Sequence, residues 1–183
     1  MDLLLRWNQR VNLVSDRSAD TLWDRHVADS LQLLPLVPHG TASMLDLGSG
    51  AGFPGLILAI VSGLPVGLVE SDKRKAAFLT EAAARLGLDH VTVHPKRIEQ
   101  TALAPAPLLT ARALAPLPIL LRHAHALLAP GGVALFPKGR TAEEELTAAS
   151  RDWIMRAERF PSRTDPASTI LRISEIRPAG SEA

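Results

Sequence analysis

Apolar positions follow two patterns along this chain. Over residues 2–13 and 19–34 they recur at helical spacing. Leu4, Leu5 and Val11, with Asn8 beside them, share one face of the first stretch, and Leu22, Val27, Leu31 and Leu34 share one face of the second. Ser18 or Asp20 is placed to cap the second helix, and Pro35 and Pro38 end it. From residue 44 onward, short apolar runs alternate with helical stretches. Strands are predicted over 44–48, 66–70, 91–94, 108–111, 132–136 and 169–176, and helices over 55–62, 73–86, 117–128 and 141–157. Asp72 is a cap for the second of these helices, Gly87 closes it, and Pro130-Gly131-Gly132 reads as a turn. Strand alternating with helix implies a parallel sheet with helices on both faces. The last strand has no helix before it, only a loop over 161–168, so it is expected to be antiparallel at an edge, with 158–163 as its partner. The pattern describes one domain over 1–183: a helical cap over 1–43 and a Rossmann-like α/β core over 44–183.

Residues 46–55 read Asp-Leu-Gly-Ser-Gly-Ala-Gly-Phe-Pro-Gly, between an apolar start and an apolar run. That is a strand, a glycine-rich turn and a helix. Glycine lets backbone N–H groups approach a ligand closely, and a helix start adds unpaired donors and a positive dipole end. The literal Gly-x-Gly-x-x-Gly at Gly50, Gly52 and Gly55 suits a dinucleotide. Glu70, twenty residues after Gly50 and at the end of the next strand, suits a ribose in either a dinucleotide or an S-adenosylmethionine site. Asp46 favours the second reading, because a carboxylate there repels a pyrophosphate and can orient a cationic sulfonium amino acid. The chain is also too short to add an ordinary catalytic domain to a dinucleotide domain.

Composition narrows the setting. The chain has 183 residues, 46% of them hydrophobic and 21% charged, with a net charge of +1. It has no cysteine, which excludes disulfides, thiolate zinc sites and cysteine nucleophiles and fits a reducing compartment. The start lacks the basic residues and long apolar run of a signal peptide, and prolines and charges interrupt every apolar stretch before it reaches membrane-spanning length. A cytoplasmic protein is expected. His123 and His125 do not share a helix face, so no metal site is expected. Trp7, Trp23 and Trp153 read as core residues.

With these residues in hand, the chain resembles the RsmG (GidB) family of bacterial methyltransferases of small-subunit ribosomal RNA. The resemblance runs along almost the whole length. It rests on Trp7-Asn8 and Asn12-Leu13; on His26, Asp29, Ser30 and Leu31 as a His-x-x-Asp-Ser-Leu motif; and on 46–55 with its Phe53-Pro54-Gly55 ending. It continues through Glu70-Ser71, Lys75, Ala77-Phe78-Leu79, Arg97 and Glu99, Arg112-Ala113 and Lys138-Gly139. The chain departs from the family in carrying less helical sequence before Trp7-Asn8. It also has Leu108-Leu109 where many members carry an aromatic-acid pair.

The resemblance implies a class I S-adenosylmethionine-dependent methyltransferase fold and methyl transfer to N7 of a guanine in the decoding-region loop of 16S rRNA. By matching positions, Gly48, Phe53, Ile98, Glu99 and Arg112 contact the cofactor, with the Gly50 backbone beside them and Glu70 on the ribose hydroxyls. Guanine N7 carries no proton, so no general base is expected. Substrate-side candidates are His26, Asp29, Ser30, Arg112 and Lys138, the last two for phosphate or base-edge contacts. The expected partner is 16S rRNA or the small ribosomal subunit, met by a monomer without membrane or metal. The competing readings are a methyltransferase of another substrate, a nicotinamide-dependent oxidoreductase, and an RNA-binding module without activity.

Overall fold

The computed structural model describes residues 1–15 and 18–180. Its strands are β1 (Met44–Leu47), β2 (Val66–Val69), β3 (Val91–His94), β4 (Ala106–Thr110), β5 (Leu128–Lys138), β6 (Trp153–Pro161) and β7 (Thr169–Pro178). They form one sheet in the order β3-β2-β1-β4-β5-β7-β6. The first five strands run parallel, and β7 is antiparallel to both β5 and β6. The expected antiparallel end is there, with β7 inside and β6 at the edge. Strand order reverses between β1 and β4, which opens a crevice at the carboxyl ends of the strands.

Successive strand residues point to opposite faces, and the sheet buries both. Met44, Leu68, Leu108 and Leu135 enter one core; Leu45, Val69, Leu109 and Phe136 enter the other. This accounts for Leu108-Leu109: each leucine fills a different core, and both are fully buried. The first core is covered by α4 (Gly55–Ser62), α5 (Lys73–Arg85) and the cap. The second is covered by α6 (Leu117–Leu127) and α7 (Ala142–Ala149).

The cap begins with α1 (Asp2–Asn8), anchored to α5 by Trp7, whose Nε1 donates to Glu81 Oε2 at 2.8 Å. The second cap helix runs as α2 (Ala19–Leu22), a π-helical stretch (Trp23–Ala28) and α3 (Asp29–Leu31). Ser18 Oγ accepts from Thr21 N–H at its start. At the start of α5, Asp72 accepts from the N–H groups of Arg74 and Lys75, as its capping position predicts.

The structure corrects several sequence expectations. The helix expected over 2–13 stops at Asn8, because the Asn8 side chain turns the following loop by accepting from the N–H groups of Leu13 and Val14. The helix expected over 19–34 gives way after Leu31 to a 3-10 turn (Leu34–Leu36) that carries Pro35. The helix expected over 141–157 ends at Ala149, and its remainder is β6. There Trp153, Met155 and Ala157 face the second core while Ile154 lies exposed, a period of two rather than of 3.6. Strand β5 starts at Leu128, before the Pro130-Gly131 positions read as a turn. Trp23, read as core, is 57% exposed.

Gly55 opens α4 where the helix presses on the sheet. A Cβ there would meet Leu68 Cδ2 at 2.5 Å and Asp46 Oδ2 at 2.6 Å. Gly55→Ala is therefore expected to lower stability by about 1–3 kcal/mol in urea unfolding. An unchanged midpoint would show that the helix can lift without cost.

Candidate functional site

The glycine turn is fastened to the end of β2. Ser49 N–H donates to Val69 O at 3.1 Å. Just beyond β2, the Glu70 carboxylate accepts from Gly50 N–H through Oε2 and from Asp72 N–H through Oε1, each at 2.8 Å. One acid thus ties the turn to the start of α5 while lining the cavity above. Gly48 is favoured by its φ of +65°; a Cβ would also meet the tip of the exposed Leu114 side chain, which can turn aside. The cavity over the turn measures about 670 Å³ and includes Gly48, Gly50, Phe53, Glu70 and Arg112 in its lining. The Asn8 clasp on the 9–14 loop brings Leu13 and Val14 onto the same cavity. That explains why Trp7-Asn8 and Asn12-Leu13 go together, a relation not visible from helical periodicity.

Arg112, just past β4, is the hub on the other side. Its Nη1 donates to Asp29 Oδ2 at 3.0 Å and to Arg25 O at 3.3 Å, and its Nη2 lies 2.8 Å from His26 Nδ1. An arginine can only donate, so His26 Nδ1 accepts and the ring proton is on Nε2. His26 stacks on Phe53 with centroids 5.1 Å apart, and the Arg112 guanidinium lies 5.5 Å from the Phe53 centroid. Asp29 continues the network, accepting from Gln32 and Thr164 through Oδ1. Cap, β4 and the β6–β7 turn are thereby joined. Ala113, next to this hub, holds a φ of +53°, an unusual left-handed conformation for a residue other than glycine.

Other sequence candidates are placed differently. Ser30 is fully buried, and its Oγ donates back to His26 O at 2.6 Å, so it steadies the π-helical turn instead of facing a cavity. The Lys138 ammonium pairs with Glu145 Oε2 at 2.7 Å and donates to Ala115 O at 2.8 Å. Glu145 also takes the Leu117 N–H at the start of α6. Burial pushes the Glu145 carboxyl up, but the hydrogen bonds from Lys138, Leu117 and Thr141 outweigh it and hold the group below its ordinary range. Lys138 is thus committed to the frame rather than offered to a phosphate. The side chains of Ile98 and Glu99 do not line the turn cavity: Ile98 packs on the second core, and Glu99 Oε1 lies 3.7 Å from His123 Nε2.

Asp46 lies in β1, not in the turn, and is 1% exposed. Thr110 Oγ1 donates to its Oδ1 at 2.6 Å, while Oδ2 has no hydrogen-bond partner. It therefore touches neither a pyrophosphate nor an amino acid in the cavity, and the charge argument against a dinucleotide drops out. An orphaned carboxylate oxygen beneath the turn instead leaves a negative field under the glycines, which suits a cationic ligand above.

A family model described as rRNA small subunit methyltransferase G (GidB) matches residues 1–166. The chain is 59% identical over 180 residues to the Ribosomal RNA small subunit methyltransferase G of Acidiphilium cryptum, covering 97% of this chain and 82% of that protein. It is 53% identical over 176 residues to the protein of the same name from Gluconobacter oxydans, covering 96% and 90%. Among solved structures, the glycopeptide N-methyltransferase MtfA has a TM-score of 0.70 at 11% identity, over 88% of this chain and 99% of that one. The O-methyltransferase from Bacillus cereus in complex with SAH has a TM-score of 0.64 at 17% identity, over 95% and 90%. The fold is that of the class I S-adenosylmethionine-dependent methyltransferases.

Burial pushes the Asp46 carboxyl up to about 6, with Thr110, Ser49, the Gly55 amide and Arg112 offsetting only part. Between the ordinary 3.8 of the unfolded chain and this folded value, the native state holds a proton that the unfolded chain has released, and above the folded value Asp46 is ionised. Stability from this group is full below the unfolded value and is lost as pH rises through the folded one, on the order of 3 kcal/mol. Asp46→Asn is expected to flatten that fall and to raise Tm at neutral pH. Parallel pH profiles for the two proteins would contradict the assignment.

Proposed function

We propose that this chain, which belongs to the rRNA small subunit methyltransferase G (GidB) family, transfers a methyl group from S-adenosylmethionine to N7 of a guanine in the decoding-region loop of 16S rRNA. It does so as a monomer in the cytoplasm. The observation that carries the reading is the Glu70 carboxylate, fixed by the Gly50 and Asp72 N–H groups on the wall of the glycine-turn cavity. A carboxylate has about four acceptor sites. With two taken by backbone donors, Glu70 keeps capacity for a pair of ribose hydroxyls.

The residues present fit the cofactor. Glu70 would take the ribose, the Gly48–Gly50 backbone would lie against the amino-acid portion, and Phe53 would supply an apolar wall. The Asp46 carboxylate below favours a cation above. Arg112 closes the far side. When bound, S-adenosylmethionine would supply a sulfonium-activated methyl group to the N7 lone pair, with the sulfur as leaving group. No proton moves and no base is needed. The protein's contribution is to position both partners and exclude water. Arg112 is held by Asp29 and His26 rather than swinging free. Among the described residues, no helix is long and apolar enough to cross a membrane.

The test uses labelled S-adenosylmethionine and small subunits from a strain lacking this modification. One 7-methylguanosine in the decoding-region loop is expected, and label at any other position or none would overturn the reading. Glu70→Gln sets an amide nitrogen against a backbone N–H and removes the charge. Cofactor affinity is expected to fall about 10-fold or more by calorimetry. Unchanged affinity would remove Glu70 from the site.

A further inference from the structure

Trp7 fastens α1 to α5, and beside that contact the seam between the two helices opens into a cavity of about 540 Å³. Four arginines line it: Arg6 and Arg10 from the α1 side, Arg74 and Arg85 from α5. Arg74 and Arg85 stand eleven residues, or about three turns, apart, so they share one face of α5 and lie about 16 Å from each other along it. Arg6 leaves the last turn of α1, and Arg10 follows just beyond its end.

Glu81, the acid among the described lining residues, does not neutralise them. Its Oε2 accepts from Trp7 Nε1 at 2.8 Å, and its Oε1 pairs with Arg85 Nη2 at 2.7 Å. Arg74 approaches Asp72 only to 3.8 Å, too long for a hydrogen bond. Among the described residues, the guanidinium groups of Arg6 and Arg10 have no hydrogen bond or ion pair. All four arginines are exposed. Each carries five N–H donors in a planar fork that matches phosphate oxygens, and most of those donors are unspent. The row also leads into the cofactor cavity on both walls. Lys75, next to Arg74, lines that cavity, and so do Leu13 and Val14, a few residues after Arg10.

We propose that this arginine row holds the phosphate backbone of the RNA substrate as it approaches the methyl donor. The assignment rests on the functional reading above. A span of about 16 Å is that of a few nucleotides rather than of one anion. Phosphate contacts fix register and affinity without reading sequence, so the row positions the strand while the base is chosen elsewhere. An RNA strand is favoured over an acidic protein surface because the row ends at the cavity where the RNA must deliver its base. The near-neutral net charge of +1 conceals this row, since its members come from two segments that only the fold brings together.

Arg6→Gln/Arg10→Gln removes two charges and leaves no paired acid behind. Its binding to unmodified deproteinised 16S rRNA and to unmodified small subunits is measured across salt concentrations, and its S-adenosylmethionine affinity by calorimetry. Affinity for both RNAs is expected to fall about 10-fold, and the salt slope to lessen by about 1–2. Cofactor affinity stays within about twofold of wild type, and KM for RNA rises while kcat holds. Arg6→Lys/Arg10→Lys, which keeps both charges, is expected to keep the wild-type slope. Wild-type affinity and slope in the glutamine variant would overturn the proposal. An equal loss of slope in the lysine variant would overturn it too, by tracing the effect to packing rather than charge. So would a loss confined to small subunits, which would assign the arginines to a protein of the particle. Wild-type protein that binds both RNAs but methylates neither would instead overturn the functional reading, and a binding loss in the glutamine variant would still uphold the row.

Discussion

One guanidinium group holds the parts of this site in register. Arg112 leaves the end of β4 and engages Asp29, the Arg25 carbonyl and His26 of the cap, while its plane approaches Phe53 of the glycine turn. Asp29 passes the constraint on through Gln32 and Thr164 to the turn between β6 and β7. Three segments far apart in sequence are thereby fixed around one charge. The pair is only partly exposed, 18% for Arg112 and 16% for Asp29, so solvent screens it less than a surface ion pair. Removing either partner would leave a poorly solvated charge and loosen cap, turn and hairpin together.

Beneath this hub, the sheet sets where chemistry can occur. The glycine turn is drawn onto β2 by Ser49 and Glu70, and α4 is pressed against β1 by the absence of a side chain at Gly55. Asp46 is caught in that close packing with one oxygen unpaired. A buried, half-satisfied carboxylate costs stability, and its position directly under the turn gives that cost a use: a negative field where a sulfonium cofactor belongs. The cavity over the glycine turn meets a second one at Arg112, Ala113 and Ser168.

The alternating core was legible because buried parallel strands read as short apolar runs, and α4, Asp72 and Glu70 lie where pattern and spacing put them. The region past residue 149 was not, because Trp153-Ile154-Met155 carries apolar residues that satisfy a helical and a strand period equally over a short window. The motif positions gave the right neighbourhood but not the roles. His26, Asp29 and Arg112 converge, yet Ser30 turns inward to its own helix and Lys138 is consumed by Glu145. Periodicity cannot reveal which polar side chain is spent on the backbone. The Asn8 clasp and the left-handed Ala113 had no compositional signal at all. Each is a matter of loop conformation, fixed by contacts between residues whose proximity only the fold creates.

A structure with S-adenosylhomocysteine bound would test the central claim most directly, that the cofactor lies over the glycine turn between Glu70 and Arg112. The account predicts S-adenosylhomocysteine in the cavity over the glycine turn, its ribose on Glu70 and Arg112 still paired with Asp29. A ribose bound away from Glu70, or Arg112 released from Asp29 and swung out of the cavity wall, would contradict it.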